Sequence, residues 1–164
     1  MRMLVAAMAG LMLAIAPPAL GQANALSEDK STVLACIEGM QTDEDWGICL
    51  GLMFAPCAGE EVGSEGHVAC LRSERENWRT VFDQQYLVAI DRLTPNGATE
   101  LASLIGQWTG YVGNKCNQVA QEKEGGQADA AQYGCEISEI VGVSAELNAC
   151  LEGLSTAPYC QIQD

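Results

Sequence analysis

Eight cysteines, Cys36, Cys49, Cys57, Cys70, Cys116, Cys135, Cys150 and Cys160, all lie downstream of an apolar N-terminal stretch. No other feature limits the possible folds as strongly. Cysteines in such number belong to oxidising compartments, and once paired they dictate which segments are neighbours. The chain opens MRMLVAAMAGLMLAIAPPALGQANA. Arg2 precedes an apolar run from Met3 to Ala16, Pro17 and Pro18 end it, and Ala23-Asn24-Ala25 fits the A-x-A cleavage pattern. Residues 1–25 therefore read as a secretory signal cleaved after Ala25, with Gly21 and Ala23 as alternative points. The apolar run is shorter than the roughly 20 residues of a membrane span. No stable membrane anchor is expected after cleavage, and the expected location is the bacterial periplasm or the exterior. The cysteines admit roughly a hundred full pairings, and sequence alone does not choose among them. Short-range pairing is the simplest: Cys36 with Cys49, Cys57 with Cys70, Cys116 with Cys135, and Cys150 with Cys160.

About 140 residues follow the leader, which fits one domain. A cysteine-containing lead-in, 26–66, and a helical region, 67–164, are expected to form it together. The formal charge of the chain is −14. Loss of a leader carrying only Arg2 makes it about −15. A chain so acidic lacks the basic patch that replaces phosphate counterions, so nucleic acid is excluded as a partner. Anionic lipid is repelled as well, and cationic partners are attracted over long range.

Apolar periodicity predicts an all-α protein: a small disulfide-stapled helical bundle. A short helix is expected from Thr32 to about Met40. A second runs from Trp46 to Phe54, with Asp43, Glu44 and Asp45 at its positive end. Leu71, Trp78, Phe82, Tyr86 or Gln85, Ala89 and Leu93 recur at helical steps and mark one face of a long helix over 67–93. Thr94-Pro95-Asn96-Gly97 breaks it. Leu101, Leu104, Ile105, Trp108, Tyr111 or Val112, and Val119 mark a second long helix over 98–123. The short connection predicts an antiparallel hairpin, with Cys70 and Cys116 at one end. A third long helix is expected over 128–154, with Cys135, Ile140 or Val141, Leu147, Cys150 and Leu154 toward the core. The tail STAPYCQIQD carries no helical pattern and is held by Cys160.

Chemistry-bearing motifs are sparse. His67 is the only histidine, so neither HExxH nor a His pair exists to hold zinc. The nearest cysteines, Cys49 and Cys57, have seven residues between them, and no C-x-x-C occurs. Four-cysteine zinc binding and thioredoxin-type redox chemistry are thus unsupported. DEDWG lacks the later ligands of a calcium loop and reads as a helix start. Clustered carboxylates are expected by chance among 22 acidic residues. The expectation is a protein that is not an enzyme, with no catalytic residue, no metal and no cofactor.

The run CLRSERENWRTVFDQQY, residues 70–86, resembles the C-x3-E-x3-W-D-x2-L-N-x2-Y signature of the LprI N-terminal domain family of lysozyme inhibitors. Cys70, Glu74, Trp78 and Tyr86 fall on it. Trp108 followed by Cys116 is similar to the later W-x7-C segment, and Gly125-Gly126 before Cys135 to the glycine-rich link. The resemblance covers roughly residues 49–154. It implies a small secreted helical protein with disulfides, and Glu74, Trp78, Tyr86 and Trp108 as structural motif positions. The chain departs from the pattern at Arg79, at Phe82-Asp83, at Val112-Gly113 and in the last helix. The implied activity is inhibition of lysozyme, a basic protein, by an acidic surface. The residues to place there are Asp43, Glu44, Asp45, Glu60, Glu61 and Glu65. The alternative is an envelope structural or interaction module with another protein, or a small ligand between helices, as partner.

Overall fold

The computed structural model describes residues 28–39 and 43–163; the expected signal, 1–25, lies outside them. Five α-helices follow one another in the described residues: α1 Glu28–Glu38, α2 Asp43–Phe54, α3 Glu65–Arg92, α4 Pro95–Gln121 and α5 Gly125–Leu151. A 3-10 turn, Ala55–Cys57, links α2 to the loop before α3. The expected helices are all present, and each begins two to four residues earlier than the apolar pattern indicates. Apolar periodicity starts only where a helix meets the core, whereas the helix itself starts at its cap. The side chain of Ser64 accepts a hydrogen bond from the His67 amide and opens α3. Thr94 does the same for Gly97, with Pro95 at the first helical position of α4.

The three long helices pack together. Arg72 meets Tyr133, Arg75 meets Glu136, and Gln85 meets Asn148. Residue numbers on α3 and α5 thus rise in step, and the two helices run parallel. Lys115 meets Glu139 and Cys116 meets Cys135, so α4 runs antiparallel to α5. The principal packing is of α5 against both α3 and α4. The two arms of the expected hairpin are joined by a tight turn but touch each other far less. Phe82 and Trp108 bridge them at 5.4 Å between ring centroids.

Two assignments to the core differ from expectation: Leu104 and Leu154 are exposed, at 42 and 67%. Of the alternatives Tyr111 and Val112, Val112 is the buried one and Tyr111 is 58% exposed. The buried stripe of α4 is Leu101, Val112 and Cys116, which faces α5. Leu104 and Tyr111 stand off to its side because α4 meets one helix closely and not two. Leu154 lies beyond the end of α5, past Gly153 at φ 74°. The stripe of α3 is buried as read: Leu71, Trp78, Phe82, Gln85 and Ala89 line the core, with Tyr86 at its edge.

Four disulfides fasten this arrangement: Cys36–Cys49, Cys57–Cys70, Cys116–Cys135 and Cys150–Cys160, with Cα–Cα distances of 5.7, 5.7, 5.5 and 5.4 Å. They join α1 to α2, the 3-10 turn to α3, α4 to α5, and the end of α5 to the tail. No cysteine among the described residues is free. The tail folds back on the α3–α4 turn. Leu93 and Ile162 form an isolated antiparallel bridge, the Thr94 amide donates to the Gln161 carbonyl at 2.7 Å, and the Gln163 amide to Arg92 at 2.8 Å. Gly97 is required here, because a Cβ would stand 2.5 Å from the Tyr159 carbonyl oxygen.

Candidate functional site

Among the described residues, polar side chains line two recesses of similar volume. The first is the end where α3 and α5 both begin. Parallel packing puts their N-termini side by side, so two positive dipole ends share one face. The loop before α3 seals this end. Gly63, at φ 82°, sits against Gln127, and a Cβ on Gly126 would run into the Gly63 carbonyl. His67 stabilises the loop, its Nδ1 accepting from the Gly63 amide at 3.3 Å. Glu60, Glu61, Glu65 and Glu124 are exposed around it. Glu61 and Glu124 line an open recess of about 460 Å³ together with Val62, Gly63, Ser64, Gly126 and Gln127. Val62 is 68% exposed amid these carboxylates. Three of the six acidic residues picked from the sequence, Glu60, Glu61 and Glu65, are thus brought together. The side chains of Asp43, Glu44 and Asp45 lie outside the described residues; their backbone forms the start of α2.

The second place is a cleft of about 450 Å³ between α3, α4 and α5. It exists because α3 and α4 diverge across the face of α5. Arg75, Glu76 and Arg79 line it from α3, Trp108, Thr109, Val112 and Gly113 from α4, and Glu136 and Ile140 from α5. Arg75 is the hub of its polar side. One Nη donates to Glu136 at 3.1 Å and the other to Glu76. Gln132 donates to the second oxygen of Glu136 at 3.0 Å, and the Tyr133 ring lies 5.0 Å from the guanidinium. Burial disfavours the charge of Arg75, but hydrogen bonds to Glu76 and Glu136 outweigh it and raise the pKa above the usual arginine value. Arg79 is held more loosely: its Nε lies 3.5 Å from Asp83 of the next turn, and both side chains are half exposed.

The wall formed by α4 is unusual. Gly106, Gly110 and Gly113 lie inside the helix, and a Cβ at any of them would meet nothing within 4 Å. Each costs the helix about 1 kcal/mol relative to alanine, and no packing contact demands any of them. The Cys116–Cys135 disulfide lies one turn from Gly113 on α4 and next to Glu136 on α5, so the rim is cross-linked.

Sequence periodicity missed the cleft. It treats Glu76, Arg79 and Asp83 as lying off the apolar face of α3, which is true, but not as facing a space. The signal that could have found the cleft is Gly113, a residue without a side chain next to Val112 of the α4 stripe. The four motif positions are divided. Glu74 and Trp78 face α1: Lys30 pairs with Glu74 and lies 4.6 Å from the centroid of the fully buried Trp78 ring. Tyr86 stacks on Phe82 at 6.0 Å between centroids, and Phe82 touches Trp108, which lines the cleft. Among the described residues no group of three His, Cys, Asp or Glu side chains is placed to hold a metal, and no helix is long and apolar enough to cross a membrane. Compared with models of known families, with curated proteins and with solved structures, the chain gives no match.

Proposed function

We propose that this is an exported, disulfide-locked binding protein, similar in kind to the LprI-like inhibitors, whose acidic corner engages a basic protein partner. The supporting observation is the corner itself: Glu60, Glu61, Glu65 and Glu124 stand exposed around the apolar Val62 on a loop held between α3 and α5. Attraction by the overall charge of −14 accelerates encounter with a cation, and an apolar residue ringed by charge provides a point of contact after it. The four disulfides fit an oxidising compartment. Lysozyme is the first partner to test. Oxidised protein is added to a c-type lysozyme and cell-wall lysis is followed. Inhibition that weakens steeply with salt, and that Glu60→Gln/Glu61→Gln/Glu65→Gln reduces at least about tenfold, supports the proposal. Full lysozyme activity at tens of micromolar protein, at about 20 and 150 mM salt, sinks it.

The acidic corner also has a purely structural use, since carboxylates beside two helix N-termini stabilise both dipoles. Binding and stability are separated by measuring the triple variant's thermal midpoint and its inhibition at a temperature where it remains folded. A second reading is an interaction module that takes a small ligand between helices. The cleft favours it. Arg79, Val112 and Gly113, where the chain departs from the LprI-like pattern, all line that cleft.

A further inference from the structure

We propose that the cleft between α3, α4 and α5 binds a small organic acid with a flat apolar body, its carboxylate on Arg79 and its body against Trp108, Val112 and Ile140. The inference rests on the small-ligand reading and is independent of the acidic corner. A volume of about 450 Å³ lies within the range of small-molecule sites. The lining has the composition such sites use: apolar walls and a few charged groups of fixed direction.

Charge decides the ligand class. Glu76 and Glu136 are both occupied by Arg75, and Gln132 adds a further donor to Glu136. Glu136 thus has both oxygens engaged, and Glu76 lies at the exposed rim, so neither offers a buried free carboxylate to a cation. Arg79 has one 3.5 Å contact through Nε, with a half-exposed Asp83, and a surface pair of that kind contributes little. A guanidinium binds a carboxylate through two parallel N–H groups, and Arg79 is the cleft's cation with that capacity least committed. The acidity of the whole chain opposes an anion at long range, but charges beyond about 10 Å are largely screened at physiological salt.

Shape decides the ligand's body. Trp108 is partly buried, backed at 5.4 Å by Phe82, and presents an indole to a flat partner. Gly113 keeps the adjoining wall open, since nothing lies within 4 Å of where its Cβ would be. The site is rigid: Arg75 joins α3 to α5 and Cys116–Cys135 joins α4 to α5. Binding therefore orders little of the protein.

The test is calorimetric titration of the oxidised protein with naphthalene-2-carboxylate and, separately, with naphthalene-2-carboxamide, each to about 1 mM. The acid is expected to bind at least about tenfold more tightly than the amide. Arg79→Gln brings the acid down to the level of the amide and leaves the amide unchanged. Gly113→Leu fills the cleft and abolishes both. Neither substitution is expected to lower the thermal midpoint, because Arg79 is half exposed and a Cβ at position 113 meets open space. Equal binding of acid and amide, both blocked by Gly113→Leu, refutes the preference for an acid and leaves the small-ligand reading standing. Absence of binding by either probe, or binding that survives Gly113→Leu, overturns both.

Discussion

Two residues, Lys30 and Tyr159, carry polar groups into the core. Lys30 is 5% exposed, pairs with Glu74 and lies over Trp78, so α1 is tied to α3 by a charge pair in an apolar setting. Such a pair adds little over a well-packed apolar replacement, but breaking it is costly. Glu74→Ala is expected to lower the unfolding free energy by about 3 kcal/mol in urea titration, whereas Lys30→Met/Glu74→Leu should be close to neutral. Tyr159, 7% exposed, donates its hydroxyl to Glu146 at 2.7 Å. Burial, then the hydrogen bond and the charge of Glu146, push the phenol pKa well above its usual value near 10. The folded state therefore keeps a proton that the unfolded chain releases. The stabilisation is complete below about pH 10, the unfolded value, and is lost as pH rises toward the higher folded one. Tyr159→Phe is expected to cost about 1.5 kcal/mol at pH 7. That deficit should shrink above pH 10, measured by urea midpoints at a series of pH values; a deficit constant with pH would contradict the assignment.

At the scale of elements, the molecule is governed by which helix faces which. Helices α3 and α5 are parallel and share a buried seam, with Trp78, Ile137, Val141 and Leu147 almost fully enclosed. Parallel neighbours place like dipole ends together, an arrangement that the carboxylates of Glu65 and Glu124 ease at the N-terminal end. The far end is held by the tail, which lies on the turn between α3 and α4 with Gly97 under the Tyr159 carbonyl. Gly97→Val should displace the tail. The expected outcome is a loss of about 2 kcal/mol, together with faster amide exchange at Thr94 and Gln163, whose hydrogen bonds cross this contact. Amides in the α3–α5 seam should keep their protection, since the seam does not involve the tail.

At the scale of the whole molecule, the disulfides supply what a small and aromatic-poor core does not. The chain has three Trp, four Tyr and two Phe, few for a core of this size. Sequence separations of 10 to 19 residues place each bridge near 3 kcal/mol in the chain-entropy account. The four loops, 36–49, 57–70, 116–135 and 150–160, do not overlap, so in that account their contributions add. Reduction is expected to lower the thermal midpoint by more than about 20 °C, read by circular dichroism with and without reductant. Survival of the oxidised midpoint after full reduction would show that the helices hold without the bridges.

Much of this was legible in the chain. The α3 stripe, from Leu71 to Ala89, is a local property, because residues three and four apart share a face wherever the helix is placed. The four cysteine pairs are the short-range ones, each closing a loop between adjacent elements, although nothing local excludes the other pairings. The exposed position of Leu104 was not legible, since α4 looks amphipathic on a wider face than it uses. The cleft was still less so. Arg79, Gly113 and Glu136 lie on three helices, and nothing in the sequence near any one of them refers to the other two. The existence of the helices and the acidity of the chain follow from residues within a few turns of one another, and both were readable locally. The packing of α5 against both α3 and α4, parallel to one and antiparallel to the other, depends on contacts between distant segments and emerges only in the folded molecule. That packing draws the arms of the hairpin toward α5 rather than toward each other, and the space left between them is the cleft.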